Sequence, residues 1–396
     1  MLFLASSLLP QAVFWSVAAA HILSREDARI PDYVNTYAPL VYLDQNELYL
    51  PSDIQSQLNN TYAALNYTAI TNGPSPLLLS NLDQLDAIGH CNVNDFDSCP
   101  IYLTSKDDVT KSPPWLYGVL PDPTTHETIK ARSCAIIVND HGGGVVDAFY
   151  MYFYAFNLGN VVLGQTLGNH VGDWEHTMVR FKDGKPVSMW YSQHDNGQAF
   201  TYEALSKNGT RPIVYSAIGT HANYAVPGTH SRSIASVVIN DTTSAGPLWD
   251  PTLSAYYYTY TPTSSTNGTF TGSDVSTPVS WLSFLGRWGD ERYPDSDPRQ
   301  TNFLGVTWRY ESGPTGPLDK DLNRTDVCPR NGNVCSTSTA LPAASGPSIP
   351  VTVSRSIKAT ETSKSSTAHA TSTGGAMPLK VELGTAGMVA IAAVML

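Results

Sequence analysis

Residues 168–197 read GNHVGDWEHTMVRFKDGKPVSMWYSQHDNG, two β-patterned runs on either side of Lys182, Asp183, Gly184 and Lys185. An Asp-Gly pair between runs rich in Val, Phe, Met, Trp and Tyr makes a hairpin the natural connection. With Asp183 and Gly184 at its tip, Phe181 faces Pro186, and the antiparallel register sets Asp173 opposite His194 and Glu175 opposite Ser192. Strand side chains alternate, so Asp173, Glu175 and His194 share one face, while Trp174, His176 and Met178 take the other. A single bulged residue would shift that pairing.

Just before this hairpin, FYMYFYAF at 149–156 puts Tyr150, Tyr152, Tyr154 and Phe156 on one face and Phe149, Met151 and Phe153 on the other. Such a run reads as a strand buried on both sides with its hydroxyls hydrogen-bonded. The competing reading is an exposed tyrosine stripe that stacks the sugar rings of a wall polysaccharide. Further β-patterned runs lie near 36–43, 146–156, 173–181, 186–194, 212–219 and 304–311, whereas helical patterns are confined to short pieces at 51–65 and 82–87. The expected class is mainly β: a β-rich, sandwich-like single domain with long loops and few short helices.

The ends of the chain of 396 residues differ from its middle. MLFLASSLLPQAVFWSVAAA, residues 1–20, is apolar and closes on a small-residue run, as a cleaved signal peptide does. Residues 338–374 are rich in Ser, Thr and Pro and lack aromatics, so they cannot bury enough apolar area to offset their ordering entropy and read as a disordered stalk. Residues 375–396 pass through a short spacer into an uncharged tail, the order of parts in a GPI-attachment signal. The folded domain is therefore expected in 21–337. Six N-x-S/T sequons, at Asn59, Asn66, Asn208, Asn240, Asn267 and Asn323, fit a lumenal route. In that oxidising setting the close spacing of Cys91 with Cys99 and of Cys328 with Cys335 predicts two disulfides, which leaves Cys134 free and buried. The expected destination is the cell surface, at a GPI-anchored plasma membrane or wall, with the vacuole reached by the same entry. The membrane is then met through a lipid anchor. A formal net charge of -11 argues against nucleic acid as a partner.

Titratable residues crowd into the hairpin. Asp173, Glu175, His176 and His194, with His221 from YSAIGTHANYAVPGTH at 215–230, form a candidate acid–base set, because paired carboxylates titrate high and an imidazole shuttles protons near neutrality. His170, Asp173 and His221 are the alternative, ligands for a divalent metal. A third reading is an ion-paired network that pins the hairpin and its loops. Arg287, Asp290 and Glu291 around Trp288 form a further polar loop in GRWGDERYPDSDP at 286–298. No G-x-S-x-G, H-E-x-x-H, Walker or dinucleotide motif occurs.

Six ordered segments carry a resemblance: YAPLVYLDQNELYLPSDI at 37–54, HGGGVVDAFYMYFYAFNLG at 141–159, GNHVGDWEHTMVRF at 168–181, YSAIGTHANYAVPG at 215–228, GRWGDERYP at 286–294 and ESGPTGPLDKDL at 311–322. Together they resemble the fungal vacuolar protein sorting-associated protein 62 family. The resemblance implies a role in sorting to the vacuole and brings no catalytic mechanism. The secretory ends put that role on the lumenal side, and the expected mode is binding, with glycan or secretory cargo as the partner. Two rival functions stand beside it: a secreted hydrolase or lyase using the Asp, Glu and His set, and a cell-wall polysaccharide-binding protein using the tyrosine stripe.

Overall fold

The hairpin forms the centre of an eight-stranded sheet. In the computed structural model, which describes residues 30–344 except 163, 235–236 and 264–267, its strands are β1 (Cys134–Gly142), β2 (Val145–Asn157), β3 (His170–Lys182), β4 (Lys185–Gln193), β5 (Asn196–Thr201), β6 (Ala255–Thr261), β7 (Thr269–Gly272) and β8 (Thr337–Ser338). They lie side by side as β7-β6-β1-β2-β3-β4-β5-β8. Neighbours are antiparallel except β6 with β1 and β5 with β8. The expected signal peptide, the anchor signal, most of the stalk and the Asn267 sequon lie outside the described residues.

The turn is where the sequence puts it, with Phe181 opposite Pro186, but the register then slips. Between Pro186 and Ser188 one residue is bulged, so Ser188 pairs with Arg180 and Tyr191 with Thr177. Proline has no N–H to donate to the ladder, which makes this a natural place for pairing to break. The expected pairings of Asp173 with His194 and Glu175 with Ser192 are therefore corrected. Instead Asp173 faces Tyr154 and Glu175 faces Tyr152 across β2. β4 ends at Gln193, and His194 sits in the turn to β5 with a left-handed φ of 57°.

Both faces of the sheet are covered. Tyr150, Tyr152, Tyr154, Phe181 and Tyr191 pack with Val41, Val214 and Trp249, which belong to a second, smaller sheet that includes strands Leu40–Tyr42, Arg211–Ser216, Asn223–Tyr224 and Leu248–Trp249. On the opposite face Phe149, Met151, Phe153, Trp174 and Met178 meet Ile54, Leu58, Ile101, Leu103, Trp281 and Trp288. Phe153, Trp174, Trp281 and Trp288 lie ring to ring at 4.7–5.8 Å. Truncating one buried aromatic of this kind costs about 3–5 kcal/mol, so this core, rather than the short helices, holds the layers together.

The stripe of tyrosines is thus inside. Tyr150 donates to Val34 O at 2.6 Å, Tyr152 is bonded to Thr177 Oγ1 at 2.7 Å, and Tyr150, Tyr152 and Tyr154 have no exposed area. A polysaccharide platform built on them is excluded by that burial.

Other expectations shift at their edges. The helix within 51–65 is only Ile54–Asn60, capped where Asp53 Oδ1 accepts from Ser56 N at 2.7 Å. It yields at once to the strand Thr61–Leu65, whose β-branched and aromatic residues pair with Ile101–Ser105. The piece near 82–87 is the helix Gln84–Gly89. The run near 36–43 contributes a strand only at Leu40–Tyr42, and 304–311 forms no continuous strand but part of a two-stranded hairpin, Asn302–Phe303 with Thr307–Trp308. Both expected disulfides are present and Cys134 is free and buried. Ordered structure continues past the expected domain boundary at 337, because Ser338 as well as Thr337 pairs with β5 and Leu341 packs against the core. Asn59, Asn66, Asn208, Asn240 and Asn323 are all exposed.

Candidate functional site

Alternation along β3 sends Asp173 and Glu175 toward the smaller sheet and His176 away from it, as the sequence predicts. The loop after strand Arg211–Ser216 then delivers His221, held in a left-handed backbone conformation at φ 54°, onto the carboxylate. His221 Nδ1 is 2.8 Å from Asp173 Oδ2, and its Nε2 donates to Tyr49 O at 2.9 Å with Glu47 Oε2 at 3.7 Å. Its ring lies flat on Tyr154, centroids 3.7 Å apart. Glu47, on the loop before Tyr49, accepts from Gly219 N at 2.6 Å and Tyr49 N at 2.8 Å.

Burial works against charge here but is outweighed. Loss of solvent pulls the His221 imidazolium down, yet Glu47 and the bond to Asp173 raise its pKa to about 10. For Glu47 burial pushes upward, and the His221 cation overcomes it, so its carboxyl titrates below the usual range. The result is an imidazolium between two carboxylates. Glu175, by contrast, is pushed well above the usual carboxylate range, first by burial and then by Asp173 beside it. Its Oε2 accepts from Asn223 Nδ2 at a long 3.4 Å.

The remaining candidates do not join this cluster. His170 bonds through Nδ1 to Gly172 O at 2.7 Å, and loss of solvent around its ring lowers its pKa. His176 is buried on the opposite face, where burial and then Arg324 hold it well below its ordinary pKa, and Arg324 Nη2 donates to its Nε2 at 3.2 Å. Arg324 itself is fully buried, donating to the carbonyls of Lys320, Asp321 and Val327. His194 bonds through Nε2 to Asp241 Oδ2 at 2.7 Å. Asp290 lies apart, accepting from Ser105 N at 2.6 Å and from the Tyr293 hydroxyl. Arg287 pairs with Asp97, and Glu291 accepts from Tyr67 N. Trp288 is in the core, and its carbonyl would clash with any Cβ at Gly172, so β3 reaches this loop only through glycine.

The five-residue acid–base set is therefore split three ways: Asp173, Glu175 and His221 together, His176 behind the sheet, His194 at the β4–β5 turn. The metal set is not assembled either. Both ring nitrogens of His221 are engaged, and among the described residues the one group of three potential ligands with donor atoms within 4.8 Å is Asp86, Cys91 and Cys99, two of which form a disulfide. Glu47 and Asp241 escaped the sequence reading. Glu47 sits inside the 37–54 segment that carries the resemblance, but only the fold brings it to His221. Asp241 is the middle residue of the Asn240 sequon.

A mainly β domain with a closed carboxylate–imidazole cluster at the junction of two sheets is the class these features define. A family model described as Vacuolar protein sorting-associated protein 62 matches residues 139–299, which hold most of the central sheet. Two proteins of Saccharomyces cerevisiae (strain ATCC 204508 / S288c) are similar over most of this chain. "Putative vacuolar protein sorting-associated protein TDA6" is 39% identical over 76% of this chain and 68% of its own length. "Vacuolar protein sorting-associated protein 62" is 36% identical over 77% and 69%. The chain belongs to the vacuolar protein sorting-associated protein 62 family. Among solved structures, "NLPPya in complex with glucosamine" matches at 12% identity over 57% of this chain and 71% of that one, with a TM-score of 0.23. "Crystal structure of non-toxic HaNLP3 protein" matches at 10% over 58% and 80%, with 0.24.

Proposed function

We propose that this chain is a secretory-pathway glycoprotein, tethered by a C-terminal GPI anchor, that serves protein sorting to the vacuole or at the cell surface by binding its partner rather than by turnover. The observation that carries this reading is the closure of the cluster of Asp173, His221 and Glu47. His221 has no exposed area and no free ring nitrogen, so the imidazole of this cluster has no atom to offer a substrate. Such groups are spent on one another, as in a structural network.

Two disulfides and five exposed sequon asparagines support a lumenal route. The relatives' names supply the process, and the tail at 375–396 supplies the anchor. In a fungal cell lacking this chain, a soluble vacuolar hydrolase is expected to leak into the medium, and the full chain to restore its retention. Restoration by a version lacking residues 1–20, and so confined to the cytosol, would sink the lumenal reading. Phosphatidylinositol-specific phospholipase C is expected to release the protein from membranes; retention with the inositol shown to be free of acylation counts against the anchor.

A secreted hydrolase or lyase keeps one foothold. His194 lines an open cleft and, among the described residues, is bonded through Nε2 alone, with Asp241 placed to orient it and His230 lining the same cleft. Loss of enzymatic turnover in His194→Asn, once a substrate is found, is its test.

A further inference from the structure

The β4–β5 turn borders two clefts of about 420 and 450 Å³, which share Asn196, Gln198 and Pro342 and so form one groove. At one end lies Trp190, 5% exposed, whose indole N–H has no partner among the described residues. At the other end are His194, His230 and Arg232. We propose that this groove binds a neutral oligosaccharide.

The chemistry of the lining points to that class. Gln193 Nε2 donates to Gln198 Oε1 at 3.2 Å, and Asn333 Nδ2 donates to Asn196 Oδ1 at 2.5 Å. These bonds fix the orientation of both shared amides and leave Asn196 Nδ2 and Gln198 Nε2 without a partner among the described residues. Asn331 is oriented in turn by its bond to Asp195 O at 3.1 Å. A row of side-chain amides, each with donor and acceptor capacity, matches sugar hydroxyls, which also do both. His230 is stacked on Tyr224 with centroids 3.7 Å apart, a rigid aromatic pair bordering the cleft, and burial keeps that imidazole below its ordinary pKa.

Charge and topology disfavour the other classes. Arg232 is set against Asp195 in the lining, and the buried Asp241 is answered by His194, Tyr224 and Thr220, so no single sign dominates to select an ionic ligand. An extended peptide adding to the sheet here would find Ala199 and Phe200 of β5 already paired with β8. The second cleft is lined mostly by amides, imidazoles and charged groups, and the apolar side chains of the first, Phe200, Val334 and Leu341 among them, share that lining with Asn196, Gln198, Asn331 and Asn333, which a lipid chain would leave unpaired.

The groove does not depend on the sorting reading, which enters only in naming glycosylated cargo as one source of the sugar; wall polysaccharide is the other. The full chain, solubilised in mild detergent, is titrated calorimetrically with an α-linked mannohexaose, a β-1,3-linked glucohexaose and chitohexaose. Saturable binding is expected in at least one arm, the mannose arm indicating cargo glycans and the others the wall. Asn196→Ala with Gln198→Ala should weaken it about tenfold or more, with the melting temperature within about 2 °C of the parent. Should the double variant fail to fold, Gln198→Glu, nearly the same shape at an exposed position, is expected to show the same loss. No binding in any arm, or unchanged binding in a folded variant, overturns the proposal. Sorting is scored separately: a variant blind to sugar that still sorts cargo removes glycan recognition from the sorting role, and sugar binding by a chain whose deletion leaves sorting intact removes the sorting reading.

Discussion

His221 with Asp173 and His194 with Asp241 are the same pair of residue types at nearly the same distance, 2.8 and 2.7 Å. They differ in what surrounds the imidazole. The His221 side chain has no exposure and a second carboxylate 3.7 Å from its other nitrogen, whereas His194 is 25% exposed and, among the described residues, bonded through one nitrogen only. The hydrogen-bond length is thus silent on role, and the fate of the second nitrogen decides it. In the first pair a charge is locked between layers; in the second an imidazole edge stands at a cleft.

The largest effect should follow from breaking the locked pair. His221→Gln leaves Asp173 and Glu47 buried without their cation, and removing one partner of a buried ion pair costs about 3–5 kcal/mol. A fall in melting temperature on the order of 10 °C follows for a domain of this size. The pH dependence has a definite sign. The folded pKa of His221 is raised from 6.5 to about 10, so its contribution is complete below 6.5 and lost as pH rises through 10. Glu47 is depressed from 4.5, so its share is present above that value and fades as pH falls below it. Thermal melts should therefore show an alkaline decline that His221→Gln flattens. Parallel curves for the two proteins between pH 6.5 and 10 would mean that the ring is neutral and the lock does not exist.

This pair also marks how far the sequence could be read. Two-residue periodicity correctly put Asp173 and Glu175 on one face and Trp174, His176 and Met178 on the other, and correctly buried the tyrosines of β2. It failed where a single residue breaks the period: the bulge after Pro186 removed the pairing of His194 with Asp173. It had no access to Glu47, because a loop residue far along the chain has no periodic signature and becomes a partner only when the second sheet closes over the first. Arg324 was hidden for the same reason. Its guanidinium is buried against His176 by a loop-rich segment next to a disulfide, a setting that composition alone reads as exposed.

A middle-sized effect should come from Glu175, which belongs to the locked region without contributing to its charge. Its folded pKa is raised well above the ordinary 4.5 by burial and by Asp173, so the folded chain holds a proton that the unfolded chain gives up, and stability falls as pH rises past 4.5. Glu175→Gln removes that penalty. The new amide could also donate to Asn223 Oδ1, which has no partner among the described residues. Stability at pH 7 should rise by about 1 kcal/mol, one pKa unit being worth about 1.4 kcal/mol, with little change near pH 4. A loss at pH 7 would show instead that Glu175 is needed there as an anion.

The smallest change in stability is expected at His194. Asp241 retains the Tyr224 hydroxyl at 2.7 Å, Thr220 Oγ1 at 3.1 Å and Asn160 Nδ2 at 3.3 Å, with Arg232 Nε at 3.7 Å. Those donors hold its carboxyl charged without the imidazole. The substitution should be His194→Asn, because the turn needs a left-handed residue and asparagine tolerates that conformation. A cost of about 1 kcal/mol or less follows, in line with a partly exposed ion pair. Chemical denaturation of His194→Asn beside His221→Gln measures the comparison directly, since each removes one imidazole from one aspartate. Equal costs would mean that burial of the second nitrogen does not separate the two pairs. A cost several times larger at His221 would mean that the fold depends on one imidazole and leaves the other available to a ligand.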